Sequence, residues 1–163
     1  QKKSIDDILN FTVNEAFIFF QKYKCKKITD KLKPLLNVGL SYVKLGQTIN
    51  TFSSGELQRL KLASFLNEKQ KNSILIFDEP SKGLHFHDVQ ILIDALQLLV
   101  EAGNTIIVIE HNLDIIKNVD WVIDLGPEGG DEGGEVIFSG LPHDLQKQNS
   151  HTGIALREVV TAE

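Results

Sequence analysis

Ile74-Leu75-Ile76-Phe77-Asp78-Glu79-Pro80 is the stretch whose reading decides the fold. A run of apolar residues ending in adjacent carboxylates describes a strand that can be buried on both faces of a parallel sheet and that carries charge to its carboxyl end. Open α/β sheets bind their ligands in the crevice beyond those ends, so Asp78 and Glu79 are expected in such a crevice. Taken alone, the stretch reads equally as an ordinary strand followed by a turn, with Asp-Glu-Pro as punctuation.

The flanking segments separate the two readings. Upstream, Phe52-Ser53-Ser54-Gly55-Glu56-Leu57-Gln58-Arg59 opens an apolar-periodic run, with Ser53 placed to cap a helix and Glu56 placed to complete a capping box. A helix N-terminus preceded by small residues offers unpaired N–H groups and a positive dipole end, a combination that binds phosphate. Downstream, Thr105-Ile106-Ile107-Val108-Ile109-Glu110-His111 is a second apolar strand ending in polar residues, which predicts His111 at the same sheet edge as Glu79. A lone strand-end histidine is usually structural, but next to an acid pair and a phosphate-binding turn it reads as functional. In that company Asp78-Glu79 reads as the Walker B element of a nucleotide hydrolase, in which the first carboxylate holds Mg²⁺ through water and the second orients the water that attacks the γ-phosphate.

The order Phe-Ser-Ser-Gly-Glu, Ile-Leu-Ile-Phe-Asp-Glu-Pro and Glu-His resembles the signature motif, Walker B and switch histidine of an ABC-type ATPase. Further text narrows the resemblance. Leu45-Gly46-Gln47, Leu60-Lys61-Leu62-Ala63-Ser64, Gly83-Leu84-His85, Val108 to Asp114, and Asp124-Leu125-Gly126-Pro127-Glu128-Gly129-Gly130-Asp131 resemble the UvrA family of the ABC excinuclease, the damage sensor of bacterial nucleotide excision repair. The likeness runs from about Lys3 to Gly153.

The resemblance implies ATP and Mg²⁺ as cofactors and a composite site shared by two ATPase halves. Asp78 would hold Mg²⁺, Glu79 would polarise the attacking water, and His111 would contact the γ-phosphate. Ser53, Ser54, Gly55 and Glu56 would reach the nucleotide on the opposing half, and the segment from Ser81 through Gly83 to His85 would line the junction. The partners implied are a second ATPase half or homodimer partner, damaged double-stranded DNA, and UvrB, the next excinuclease subunit. Zinc is implied only for segments outside this chain.

Two departures from the family pattern stand out. Phe52 and Ser54 replace the Leu and the first Gly of Leu-Ser-Gly-Gly-Glu, and Ser81-Lys82 replaces Thr-Thr after Asp-Glu-Pro. A Cβ at position 54 sits where phosphate contact is tightest, although a hydroxyl there can donate a hydrogen bond. These changes suit a divergent paralogue, for example one serving antibiotic resistance. No stretch reads G-x-x-x-x-G-K-[ST], so this chain is expected not to hydrolyse ATP alone. A non-enzymatic interaction module is the reading from a different class. The absence of methionine and the start at Gln1 suggest a piece of a longer product, with its phosphate-cradling loop upstream.

Composition sets outer bounds. A chain of 163 residues with 42% hydrophobic content can bury a core. No apolar run reaches the roughly 18 residues of a membrane span, and the polar N-terminus is unlike a signal peptide, which points to the cytoplasm and no membrane. Cys25 is the single cysteine, so no internal disulfide or cysteine-based zinc site can form. The net charge of −5 has the wrong sign for a surface that neutralises DNA phosphates. The basic run Lys22, Lys24, Lys26, Lys27, Lys31 and Lys33 reads chiefly as a solvated helix face.

The expected fold class is α/β, a partial ABC-type ATPase of the P-loop NTPase type with a mainly parallel sheet. Residues 1–70 are expected to form a helical signature subdomain. It would hold a helix capped by Thr12 and Glu15 with a Phe-rich body, a short helix near Asp30 to Leu36, and the signature helix. Residues 71–163 would form the α/β portion. Strand 74–78, helix 88–101 stopped by Gly103, and strand 105–110 make a right-handed crossover, followed by a short helix at 113–118 and strands at 121–125 and 135–139. His85, His87 and Asp88 read as a cap and turn rather than a metal site, and Glu128, Asp131, Glu132 and Glu135 as a solvated turn rather than a calcium loop. Trp121 is expected in the core.

Overall fold

The computed structural model describes residues 3–68, 71–84, 86–128 and 133–161. The expected positions His85, Asp131 and Glu132 lie outside them. The chain forms two compact units, Gln1–Ile109 and Glu110–Glu163.

The first unit begins with helices. After α1 (Ile5–Leu9), α2 (Val13–Lys22) starts where expected: the Glu15 N–H donates to Thr12 Oγ1 at 3.1 Å and the Thr12 N–H donates to Glu15 Oε2 at 2.8 Å. Aromatic rings gather around Phe19, which lies edge-on to Phe20 at 5.3 Å and tilted against Phe11 at 5.5 Å and Tyr23 at 4.9 Å between ring centroids. The helix foreseen near residues 30–36 is longer, α3 (Lys26–Asn37), and every lysine of the basic run is exposed. A single 3₁₀ turn (Ile49–Thr51) then leads into α4 (Ser54–Glu68), the signature helix.

β1 (Ile74–Asp78) and β2 (Thr105–Ile109) pair in parallel, in register from Ile74 opposite Thr105 to Asp78 opposite Ile109. The crossover between them is α5 (Phe86–Glu101), which buries Val89, Leu92, Ala95, Leu96 and Leu99. Gly103 ends the helix at φ 94°, a conformation glycine adopts without penalty. The buried Asn104 ties the turn together, its amide donating to the Leu99 carbonyl at 2.9 Å while its Oδ1 accepts from the Ser73 N–H at 3.2 Å.

One expectation is corrected here. Within this chain alone β1 packs on one face: Leu75 is 8% exposed, but Ile74 and Ile76 are 66% and 65% exposed. A two-stranded sheet covered by α5 has one packed face, so the period-2 alternation of a strand sends every other residue outward, here both isoleucines of β1.

The second unit contains α6 (Leu113–Ile116), an antiparallel pair β3 (Val122–Gly126) and β4 (Glu135–Gly140), α7 (Pro142–Leu145) and α8 (His151–Thr161). Ile116, Leu145 and Leu156 form its core, with Leu113, Val122 and Phe138 packed against them. Trp121 is a second correction: it is 59% exposed, its indole N–H donating to Ser139 Oγ at 3.0 Å. It precedes β3 at the sheet margin, where a large ring can cover the neighbouring strand and keep its polar edge bonded.

Candidate active site

Asp78 ends β1 and is exposed; Glu79 follows it in a tight turn. Glu79 adopts φ 45°, in the left-handed region that a residue with a Cβ seldom occupies. Its backbone is held on every side. The Glu79 N–H donates to the Ile109 carbonyl at 2.9 Å, and its own carbonyl accepts from the Lys82 N–H at 3.0 Å and from Gln58 Nε2 at 3.3 Å. Strain of this kind persists where surrounding bonds over-determine the conformation, and it gathers at functional turns.

The signature turn lies against the same segment. The predicted capping box at α4 is present, the Ser53 N–H donating to Glu56 Oε2 at 2.7 Å and the Glu56 N–H to Ser53 Oγ at 3.2 Å. Gly55 is buried, and a Cβ there would stand 3.0 Å from Leu84 Cδ2; a Cβ on Gly83, which has φ 76°, would stand 3.6 Å from Ser54 Oγ. Within the first unit the structure therefore brings together Ser53, Ser54, Gly55, Glu56, Asp78, Glu79, Ser81 and Gly83. Ser53 and Ser54 are exposed, whereas Gly55 and Ser81 are buried beneath the turn.

Glu56 is committed to structure. One carboxylate oxygen caps the helix, while the other accepts from the Tyr42 hydroxyl at 2.7 Å. The Tyr42 and Ser53 donors together hold the Glu56 carboxyl below the ordinary glutamate range, and burial beside Glu56 pushes the Tyr42 hydroxyl up. Arg59 extends the chain of contacts, reaching Tyr42 at 3.4 Å and Asp88 at 3.0 Å from the start of α5. Asp88, expected in a cap and turn, lies in the first turn of α5 and is the ion-pair partner of the buried Arg59.

Sequence reasoning missed Tyr42, Gln58 and Arg59. Gln58 and Arg59 lie one helical turn after Ser54 and Gly55, so their position was available as a signal; Tyr42, in an irregular loop, had none.

His111 lies in the second unit and is exposed. Its N–H donates to Glu110 Oε2 at 3.0 Å, and the Asn112 N–H donates to the same oxygen at 3.2 Å. Asn112 then caps α6 through Asp114. Glu110 and Asn112 shape the loop on which the histidine stands.

No family model matches the chain. Individual proteins do. The chain is 52% identical over 160 residues to the UvrABC system protein A of Brucella abortus biovar 1 (strain 9-941), covering 97% of the chain and 16% of that protein. The corresponding protein of Thermus thermophilus is 52% identical over 158 residues, covering 96% of the chain. The crystal structure of UvrA2 from Deinococcus radiodurans superposes with a TM-score of 0.85 at 33% identity, covering 93% of this chain and 22% of that one. The chain belongs to the UvrA family. It spans 16% of the length of the Brucella relative and 16% of the Thermus one, so the match concerns one segment of a UvrA protein. CbiO1 of Clostridium perfringens, part of the ABC transporter complex cbiONQ, superposes at a TM-score of 0.54 with 23% identity, which shows the ABC ATPase fold alone. The α/β, partial ABC-type architecture expected from the sequence agrees with both superpositions.

Proposed function

We propose that this UvrA-family segment supplies the Walker B element, signature turn and switch histidine of an ATPase whose cycle governs recognition of damaged double-stranded DNA. The observation that carries this reading is the packing of the signature turn onto the acid-pair turn: Gly55 lies under Leu84, and Gln58 bonds the Glu79 carbonyl. These contacts link the turn that would face an opposing half to the turn that would hold this chain's own acid pair.

Each residue has an assignable task. The exposed Asp78 carboxylate is a hard oxygen donor that fits a hydrated Mg²⁺, an ion commonly held by one or two carboxylates together with waters and phosphates. When bound, the ion would neutralise phosphate charge. Glu79 would accept a hydrogen bond from the attacking water. His111 would donate to the γ-phosphate, where charge gathers during transfer. Ser53, Ser54 and the α4 N-terminus would face the nucleotide of an opposing half, a second ATPase half or a homodimer partner. Glu56, Gly55, Ser81 and Gly83 would shape that surface from beneath.

The functional division would place the signature subdomain in residues 1–70 and the catalytic α/β portion in 71–163, within a cytoplasmic protein. Identity of 52% over 97% of the chain to UvrABC system protein A supports the repair reading. With it come damaged duplex and the UvrB excinuclease component as partners of the full-length protein. Among the described residues no helix is long and apolar enough to cross a membrane.

In the full-length protein, Glu79→Gln is expected to keep ATP binding and to slow turnover by roughly 10²–10⁴-fold, the range of a positioned general base. Unchanged turnover would remove Glu79 from the role. Binding of lesion-bearing and undamaged duplexes, with and without ATP at fixed salt, tests the repair assignment; equal affinity for both would overturn it.

A further inference from the structure

The Glu79 side chain has a partner that the ATPase reading does not use. Lys82 Nζ lies 2.6 Å from Glu79 Oε2, across the same turn in which the Lys82 N–H donates to the Glu79 carbonyl at 3.0 Å. The backbone of Glu79 is fixed by Ile109, Gln58 and Lys82, so only its side-chain torsions remain to aim the carboxylate. An ammonium on one carboxylate oxygen competes with water for that acceptor. The hydrogen bond to Glu79, followed by the charges of Glu79 and then Asp78, favours the charged form of Lys82. A fixed positive charge beside an acid pair opposes the arrival of a divalent cation.

We propose that Lys82 is a positioning residue that restrains ATP turnover by holding the Glu79 carboxylate and by weakening cation binding at Asp78. This rests on the reading of Glu79 as the group that orients the attacking water. Lys82 is 75% exposed in its side chain and Glu79 is 38% exposed, so the pair is open to solvent and its hold is modest. It acts as a brake and not as a lock.

The test uses the full-length protein and its Lys82→Gln, Lys82→Arg and Glu79→Gln variants. Steady-state ATP hydrolysis gives kcat and KM, and electron paramagnetic resonance of Mn²⁺ in the presence of a non-hydrolysable ATP analogue reports cation binding without turnover. Lys82→Gln is expected to raise kcat about two- to five-fold with KM for ATP unchanged and to tighten Mn²⁺ binding by a similar factor, the scale of an exposed ion pair. Lys82→Arg should behave as the parent. Added salt should narrow the gap between parent and Lys82→Gln, because an exposed pair is screened, an effect that simple loss of packing would not produce. A Lys82→Gln protein with unchanged or lower kcat, or with unchanged Mn²⁺ affinity, would overturn the proposal while a slow Glu79→Gln left the ATPase reading in place. Normal turnover in Glu79→Gln would overturn both.

Discussion

At the scale of single residues, the candidate site gathers carboxylates in different settings. Asp78 and Glu79 are presented by a strand end and a strained turn, whereas Glu56 is consumed in holding the helix that faces them. That use of Glu56 has a consequence for acid stability. Its folded-state pKa lies below the ordinary value of 4.5, because the Tyr42 hydroxyl and the Ser53 N–H both favour the carboxylate. A depressed carboxylate stabilises the fold fully above its unfolded pKa, and the contribution disappears as pH falls through the folded value. The urea midpoint of this chain should therefore decline as pH is lowered below about 4.5, and Glu56→Gln should lower the midpoint at neutral pH while making the decline shallower. Asp7 and Glu15, whose caps depress them in the same way, leave part of the decline in the variant. A decline identical in parent and Glu56→Gln would show that Glu56 contributes nothing through its charge.

At the scale of elements, local chemistry was the most legible part of the sequence. The capping boxes at Thr12 and Ser53 mark helix starts because a side-chain acceptor followed three residues later by a carboxylate leaves few other ways to satisfy the first turn. β1, β2 and the stop at Gly103 were equally readable from apolar runs and a glycine. α1 was missed although Ser4 and Asp7 form the same capping box, because five residues are too few to show an apolar period; α7, with four residues, and α8, with no strong apolar period, were missed as well. Their placement comes from tertiary contact. A Cβ on Gly153 would lie 2.5 Å from the Leu145 carbonyl oxygen and 2.8 Å from that of Gln148, so α8 approaches the end of α7 backbone to backbone. Arg157 completes the junction by donating to the Gln146 and Gln148 carbonyls at 2.9 and 3.1 Å. Gly153→Ala gains helix propensity but forces these backbones apart, and overpacking outweighs propensity. It should lower stability by about 1–3 kcal/mol in chemical denaturation. An equal or higher midpoint would mean that α7 can shift freely.

At the scale of the whole chain, what the sequence could not show was which surfaces this segment, 16% of the length of its Brucella relative, leaves uncovered on its own. An apolar strand looks the same whether one face or both are packed, because burial depends on how many layers surround it rather than on its own residues. Here the outer face of β1 and β2 carries Ile74, Ile76, Ile107 and Ile109, which are 66%, 65%, 46% and 56% exposed. Contiguous apolar surface of this kind favours association in water. Ile76 and Ile107 are register partners, so a paired change alters one spot on that face. Ile76→Thr with Ile107→Thr keeps β-branched residues in both strands and removes apolar area only where solvent reaches it. The double variant should stay in solution to higher concentration than the parent and melt within a few degrees of it. Leu75→Thr, on the packed face at 8% exposure, should instead lower the melting temperature sharply, because it buries a hydroxyl among apolar neighbours. Sedimentation and thermal melts of the three proteins side by side separate the faces. Comparable loss of stability from both changes would mean that the isoleucine face is packed in solution, with the strands of this chain covered on both sides.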